Sequence, residues 1–332
     1  MKKSNDNFIK SSVFRVNQKY ARMQNKTKEL FFRCLDEGQD LEYFTKELKK
    51  IWGNIDHSFM YDEISEYEAI IHEKNIHGRE VVRDIPKGEE GSLFALVPIS
   101  VIIGVEDKFM KIKTREYKAS LKSPAYKRDK QEYLKLKVPN YSDDIITYYS
   151  KKTGKPIRQV SPAVYNSMVY NTNATRSVWN TTLNDADQLK INWFFIPYHP
   201  FSCPDCVRHQ NRPLTRSEVL DMVDVAEERV GDILHPNCGC VLTLYDSNTK
   251  IPNDNLTDEQ KADIYHIRQK TNGLTLRKER VLTDMKIQKE LGNMDEYDRL
   301  NSQRNKINAS IRELQNGLPT ASLQKQVVAI NR

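Results

Sequence analysis

The sequence predicts an α+β fold that is mainly helical, with a small central domain containing β-strands and a helical hairpin at the C-terminal end. The 332 residues include 29% charged residues but only 12 Gly and 13 Pro, a composition typical of a helix-rich globular protein. Apolar residues recur at helical spacing early and late in the chain. Four of the five cysteines fall between residues 203 and 240, flanked by two short apolar runs typical of strands.

Changes in composition and periodicity divide the chain into four segments. Residues 1–84 are expected to form an N-terminal helical region, and residues 85–160 a β-rich segment followed by a basic segment. Residues 161–250 hold the cysteine-rich core, and residues 251–332 form the C-terminal helical hairpin. A chain of 332 residues has room for two or three ordinary domains, so at least one of them can close a sizeable core.

The N-terminal region contains one clear amphipathic helix. From Leu41 to Trp52 the apolar residues fall at intervals of three and four, and Asp40 is placed to cap this helix. Further on, the apolar run 93–105 is interrupted by Pro98 and is too short to cross a membrane. We interpret this run as a buried pair of strands.

A basic stretch follows from Lys108 to Lys137, with Phe109, Tyr117, Tyr126 and Tyr133 between its Lys and Arg residues. Two interpretations stay open. Such a stretch can follow a phosphate backbone, or its charges can form the solvated face of helices, which is the commoner case. The net charge of +7 is modest for this length, so charge alone does not indicate a dedicated nucleic-acid-binding protein.

Capping and turn residues mark the later elements. Ser161-Pro162 is typical of a helix start, and Thr257 with Gln260 forms a capping box at the start of the hairpin region. Asn272-Gly273 is expected to end the first helix of this region, and Gly292-Asn293 to turn the chain. Two apolar stripes are expected to face each other in the hairpin. Their members are Val281, Met285 and Leu291 on one side, and Met294, Tyr297, Leu300, Ile307, Ile311 and Leu314 on the other.

Two short motifs in the cysteine-rich core have the spacing of metal-binding knuckles. The motifs are Cys203-Pro204-Asp205-Cys206 and His235-Pro236-Asn237-Cys238. In each of them one potential ligand stands on either side of a turn that contains Pro. Two such motifs supply the four ligands of tetrahedral zinc, so the central domain is expected to be zinc-stabilised. Cys240 is a fifth candidate and can replace His235, since Gly239 relaxes the backbone between the last two cysteines. The candidate metal ligands are therefore Cys203, Cys206, His235, Cys238 and Cys240.

A zinc ion held by four protein ligands has no position left for water or substrate. The zinc is therefore expected to stabilise the fold, and the protein is expected not to be an enzyme and to have no small-molecule substrate. His199 and His209 flank the cysteines, but no nucleophile or acidic partner pattern accompanies them, which favours surface or supporting roles. Cys34 stands apart and is interpreted as a small buried apolar residue.

The second half of the chain resembles a known family. The segment CPDCVRHQNR, followed by HPNCGCVLTLY, is similar to the core of phage Mu F-like head-morphogenesis proteins and of the second phage minor capsid protein family. The later segments YHIRQK, RKER, QRNKI and NGL resemble the C-terminal helical region of that minor capsid family. Family members often carry Trp-Gln-Gly or Leu-Asp-Gly where this chain has His209-Gln210-Asn211, and Arg where it has Gly239.

The resemblance implies a low-copy structural protein of a tailed-bacteriophage virion that acts in head morphogenesis. It implies a place in the capsid interior or at the portal vertex, after synthesis in the cytoplasm of the bacterial host. The implied partners are the portal protein, other capsid proteins and, further, the packaged genomic DNA. No membrane partner is expected, since the sequence shows neither an export signal nor a membrane span.

Two alternatives from other functional classes remain. A phage-encoded zinc-containing nuclease would use the knuckles as a scaffold, but it needs an open metal position and a His base with acidic partners. A zinc-containing nucleic-acid-binding protein would need a basic recognition helix beside the site, whereas the segment 217–228, SEVLDMVDVAEE, is acidic.

Overall fold

The chain forms two compact units, each assembled from three separated stretches. The computed structural model describes residues 5–53, 55–81, 94–149, 156–199, 202–228, 238–247, 249–251 and 256–318. Unit 1 comprises Met1–Arg15, His57–Pro98 and Ser167–Arg268, and unit 2 comprises Val16–Asp56, Ile99–Asn166 and Gln269–Arg332. The four contiguous segments drawn from the sequence are a different division, because each unit combines stretches that are distant along the chain.

The described residues are mostly helical with small sheets, which confirms the α+β class. The helices are α1 (Asn5–Glu37), α2 (Leu41–Trp52), α3 (Ser58–Ile76), α4 (Ile99–Lys122), α5 (Pro124–Arg128), α6 (Lys130–Lys137), α7 (Pro162–Leu189), α8 (Pro204–Val207), α9 (Arg216–Glu228), α10 (Asp258–Glu290) and α11 (Met294–Asn316). The strands are β1 (Ile146–Tyr149), β2 (Pro156–Val160), β3 (Trp193–Phe195), β4 (Pro213–Thr215) and β5 (Thr243–Leu244). Among these helices, none combines the length and the apolar character needed to cross a bilayer.

Unit 1 is built around a three-stranded antiparallel sheet with the strand order β4-β3-β5. Phe194 on the central strand lies opposite Leu214 on one side and Leu244 on the other. All three side chains are buried in one apolar core, which also contains Trp179 and Leu183 from α7. The two short apolar runs of the sequence are therefore strands, although both are shorter than the runs themselves.

Unit 2 contains an aromatic core and the two-stranded sheet of β1 and β2. Phe44 from α2 and Tyr117 from α4 are stacked, with ring centroids 4.1 Å apart, and Phe31 from α1 meets both rings edge-on. Asp40 caps α2 as expected, because its side chain accepts a hydrogen bond of 2.7 Å from the backbone N–H of Tyr43. Stacked and edge-on rings add specific geometry to the burial of apolar area.

The apolar run 93–105 is not a strand pair as the sequence suggested. Helix α4 begins at Ile99, while residues 94–98 lie outside helix and strand, and residue 93 lies outside the described part of the chain. The reason is that the run continues a helical period, since Ile102, Phe109 and Tyr117 are buried on one face of α4. A short apolar run does not by itself distinguish a strand from the start of a buried helix.

The aromatic residues of the basic stretch pack inward. Phe109 and Tyr117 are fully buried. Tyr126 and Tyr133 form an edge-on pair, and their hydroxyls donate to the Leu35 carbonyl and to Ser120. Phe109 and Tyr117 are therefore part of the unit 2 core, and Tyr126 and Tyr133 are half-buried against it. The four rings do not form a platform on which bases could stack.

The C-terminal region is a hairpin of α10 and α11, but its first helix does not end at Gly273. Helix α10 runs through this residue, which does not adopt the left-handed conformation that ends many helices. Gly292 does adopt it, with φ 68°, and the chain turns there as expected. The capping box is confirmed, because Thr257 and Gln260 each donate a backbone N–H to the other's side chain, at 2.9 and 3.2 Å.

The apolar interface of the hairpin is narrower than the sequence suggested. Its buried residues are Val281, Met285, Leu300 and Ile307, with Leu274, Leu282, Tyr297 and Ile311 partly buried against them. Met294 was expected in this interface, but its side chain is 50% exposed. It is the first residue of α11, directly after the turn at Gly292.

Candidate metal centre

Four cysteine thiols converge in the core of unit 1, and we call them the thiol cluster: Cys203, Cys206, Cys238 and Cys240. The first two come from α8. Cys203 is the N-cap of this short helix, and its carbonyl accepts from the backbone N–H of Cys206 and of Val207 at 3.0 and 3.1 Å. One helical turn therefore brings both side chains to the same side, with 3.3 Å between the two Sγ atoms.

The other two thiols come from the segment that leads into β5. The Sγ atoms of Cys206 and Cys238 are 3.8 Å apart, and the Sγ atoms of Cys206, Cys238 and Cys240 all lie within 4.8 Å of one another. All four residues of the thiol cluster are buried, with exposed fractions between 1% and 8%. Cys206, Cys238 and Cys240 together can hold a metal ion. Cys203 adjoins this group through its contact with Cys206.

Helix α7 fixes the backbone of the segment 238–242 through side chains. Side chains of α7 donate hydrogen bonds to the carbonyls of every second residue, namely Cys238, Cys240 and Leu242. Carbonyls of every second residue that point the same way indicate an extended backbone. The donors lie on one face of α7, at spacings of four, four and three, and we call them the donor face: Asn171, Thr175, Trp179 and Thr182. Their bonds measure 2.7, 2.9, 2.9 and 3.2 Å. The two thiols of this segment are therefore held by a helix as well as by the sheet.

Two further side chains reach Cys240. The amide of Gln210 donates to Cys240 Sγ at 3.1 Å, and Nε2 of His199 lies 3.5 Å from the same sulfur. Both residues are buried. N–H groups directed at a sulfur stabilise a thiolate, so these two residues are suited to support a metal-bound Cys240.

The distance between Cys206 and Cys238 fits a tetrahedral thiolate site. Zinc binds thiolate sulfur at about 2.3 Å, and a tetrahedron with this bond length separates its sulfurs by about 3.8 Å. The Cys206–Cys238 distance of 3.8 Å matches this value, and the Cys203–Cys206 distance of 3.3 Å is somewhat shorter. Both are far longer than the roughly 2.05 Å of a disulfide bond, and all four thiols are free. The donor set therefore fits a soft divalent metal such as zinc.

Without a cation the thiols are held in their neutral form. Hydrogen bonds with Cys203 and Cys238, together with burial, raise the pKa of the Cys206 thiol well above its usual range. A bound metal reverses this preference, since the thiolate is the species that coordinates it and binding releases the proton.

Of the five ligands predicted from sequence, the structure brings Cys206, Cys238 and Cys240 within 4.8 Å of one another and places Cys203 beside Cys206. The fifth, His235, lies outside the described residues. The roles of Gln210 and of the donor face do not follow from the sequence alone. Polar residues at helical spacing within an otherwise buried helix were the available signal. His209 was considered beside His199, and its Nε2 accepts from Arg208 at 3.1 Å.

No protein-family model matches this sequence, and neither a curated protein nor a solved structure matches the chain.

Proposed function

We propose that this chain is a minor structural protein of a tailed-bacteriophage head, acting in head morphogenesis near the portal, and that the thiol cluster binds a structural zinc ion. The observation that carries the proposal is the convergence of two distant motifs, Cys203-x-x-Cys206 and Cys238-x-Cys240, in one buried site. These are the same residues through which the sequence resembles phage head proteins.

The site favours a structural role over a catalytic one. A zinc ion bound by the thiol cluster would cross-link α8 to the segment 238–242, and four protein ligands would leave it no open position for substrate. His199, whose ring lies beside Cys240, is only 2% exposed and is therefore shielded from a polynucleotide. The nuclease alternative has no comparable observation in its favour.

The proposed place of the protein follows from this structural role. We assign it to the virion, in the capsid interior or at the portal vertex, with the portal protein and other capsid proteins as partners. The zinc would keep unit 1 rigid enough to dock at a defined position during head assembly.

A first experiment tests the metal. Protein purified without chelator should contain about one zinc per chain, as expected for one four-ligand site. Elemental analysis gives the stoichiometry, and Cys34→Ala is the matched control because Cys34 belongs to unit 2. A metal-free wild-type protein would refute the zinc site.

A second experiment tests the virion assignment. Particles purified from cells that produce the phage should contain this chain at low copy number by mass spectrometry, and its gene should lie beside those for the portal and the major capsid protein. Detection only in the soluble lysate, with particles free of the chain, would refute the assignment. Cleavage of DNA with magnesium or manganese that is abolished by His209→Ala would support the nuclease instead.

A further inference from the structure

One face of α4 carries only basic side chains over nearly four turns. We call it the basic stripe, and its members are Lys108, Lys111, Arg115, Lys118 and Lys122. All five are exposed. Their spacings of three, four, three and four place them within about 80° of the helix circumference, at 100° per residue.

The basic stripe lies opposite the side of α4 that is packed in unit 2. The buried side includes Ile102, Phe109 and Tyr117, and at 100° per residue its centre is about 180° from the centre of the stripe. The stripe is therefore directed away from the core of its own unit. Because the helix is anchored on the opposite side, the five cations are held in a straight row about 21 Å long.

The charges of the stripe are not neutralised within the described part of the chain. No ion pair there involves any of its five residues, whereas other exposed cations of unit 2 have partners, such as Arg299 with Glu296 at 2.6 Å. The acids nearest to the stripe on α4 are Asp107 at its edge and Glu116, which pairs with the buried Lys113 at 2.9 Å. Asp107 stands four residues before Lys111 but forms no ion pair with it in the described part of the chain, and no other acid of α4 is three or four residues from a member of the stripe. A solvated helix face more often mixes both signs of charge at these spacings.

We propose that the basic stripe of α4 binds the phosphate backbone of duplex DNA without regard to base sequence. Along about 21 Å of duplex one strand presents about six phosphates, which is close to the number of cations in the stripe. A duplex fits better than a single strand, because Phe109 and Tyr117 are fully buried, and the half-buried Tyr126 and Tyr133 pack against each other instead of presenting free faces to bases.

An anionic membrane fits the stripe less well. Helices that bind membrane surfaces insert an apolar face beside their basic face. In α4 the apolar residues Phe109 and Tyr117 are fully buried in unit 2 and cannot be inserted. The proposal uses the proposed function only to choose DNA among polyanions, since packaged DNA fills the head in which we place the protein.

The salt dependence of binding measures the number of phosphate contacts. For five contacts the logarithm of the binding constant should fall against the logarithm of salt concentration with a slope of about -4.5. Binding of the full-length protein to a random-sequence duplex should then weaken roughly 500-fold between 50 and 200 mM salt. The variant Lys111→Gln, Arg115→Gln, Lys118→Gln keeps two contacts, so its slope should be only about -1.8. Its binding constant should then weaken only about 12-fold over the same salt range. Gln preserves helix propensity, so circular dichroism should show an unchanged fold.

A matched control carries the same charge change elsewhere in unit 2. The variant Arg277→Gln, Lys306→Gln, Arg312→Gln removes three exposed cations from the hairpin and should keep the wild-type slope. An equal reduction of the salt-dependence slope in both variants would show that binding depends on net charge and not on the stripe, and would overturn the proposal. So would absence of duplex binding by the wild type at 50 mM salt, or a stripe variant that loses binding to anionic phospholipid vesicles but not to DNA. None of these results depends on whether the chain is found in purified heads.

Discussion

Asn211 has a backbone conformation that few side chains adopt, with φ 53°. Its backbone N–H donates to the carbonyl of Ile196, and its side-chain oxygen accepts from the N–H of Tyr198, both at 2.9 Å. Asn tolerates this left-handed region better than most residues, because its short polar side chain forms local hydrogen bonds. The chain therefore makes the turn after α8 with Asn in the left-handed conformation.

Zinc affinity should depend on individual residues of the site in a graded way. Gln210→Ala removes an N–H donor to Cys240 Sγ and should weaken zinc binding by about 10–100-fold, as the loss of a supporting residue does. Cys206→Ser removes a ligand at the centre of the cluster and should weaken it further. Competition with a chromophoric chelator measures both effects, with Cys34→Ala as control. Wild-type affinity in Cys206→Ser would show that the cluster is not the zinc site.

Glu218 should contribute to stability in a pH-dependent way. The Thr215 backbone N–H and the Arg212 side chain lower the pKa of Glu218 to about 2. A carboxyl with a lowered pKa in the folded state stabilises the protein fully above its unfolded pKa of about 4.3, and this contribution is lost as the pH falls toward 2. The difference in free energy of unfolding between the wild type and Glu218→Gln should therefore become smaller as the pH is lowered from 6 to 3.

Comparing the two proteins at each pH cancels the response of the thiol cluster to acid, because that response is common to both. A difference between them that does not change with pH would contradict the role of the Glu218 charge.

At the level of elements, the sequence determines helix starts better than helix ends. Asp40 and Thr257 were identified as caps because a side chain that accepts a backbone N–H leaves a local signature. Gly273 shows why ends are harder to predict. A Gly ends many helices by turning its backbone left-handed, and the residue type alone does not decide this, since Gly292 has a positive φ and Gly273 does not.

The two glycines should respond oppositely to Ala. At Gly273 an added Cβ meets no atom within 4 Å, so Gly273→Ala should stabilise the protein by about 0.5–1 kcal/mol through better helix propensity. At Gly292, with φ 68°, the same change should cost about 1–2 kcal/mol, because a Cβ is strained in this conformation. Denaturant unfolding measures both. Destabilisation by Gly273→Ala would mean that α10 is interrupted there after all.

At the level of the whole molecule, the thiol cluster was predictable in its ligand types but not in its surroundings. The Cys-x-x-Cys motif and the His-Pro-Asn-Cys motif each identify two ligands, because two intervening residues let both ligand side chains reach one ion. The contribution of Trp179 and Asn171 depends on a helix meeting a segment more than 60 residues away, at 61 and 67 residues respectively. No local pattern encodes such a pairing, and the division into two interleaved units was missed for the same reason.

Removal of the metal should destabilise the molecule. Chelation would remove the proposed cross-link between α8 and the segment 238–242, so the Tm should fall by roughly 2–4 °C for each kcal/mol of binding energy lost. Scanning calorimetry with and without chelator measures the shift. A Cys206→Ser, Cys238→Ser variant should not respond to chelator, and a wild-type Tm that is equally unresponsive would contradict a structural metal.

The donor face of α7 also determines when the site can be completed during synthesis. Asn171 is made 67 residues before its partner Cys238. At about 5–20 residues per second, the ribosome needs roughly 3–13 s to cover that distance. Before Cys238 is made, only Cys203 and Cys206 of the thiol cluster exist, so a metal bound at this stage would have at most two of the four thiols. A metal held by all four thiols would be fully coordinated only after Cys240 has left the ribosome.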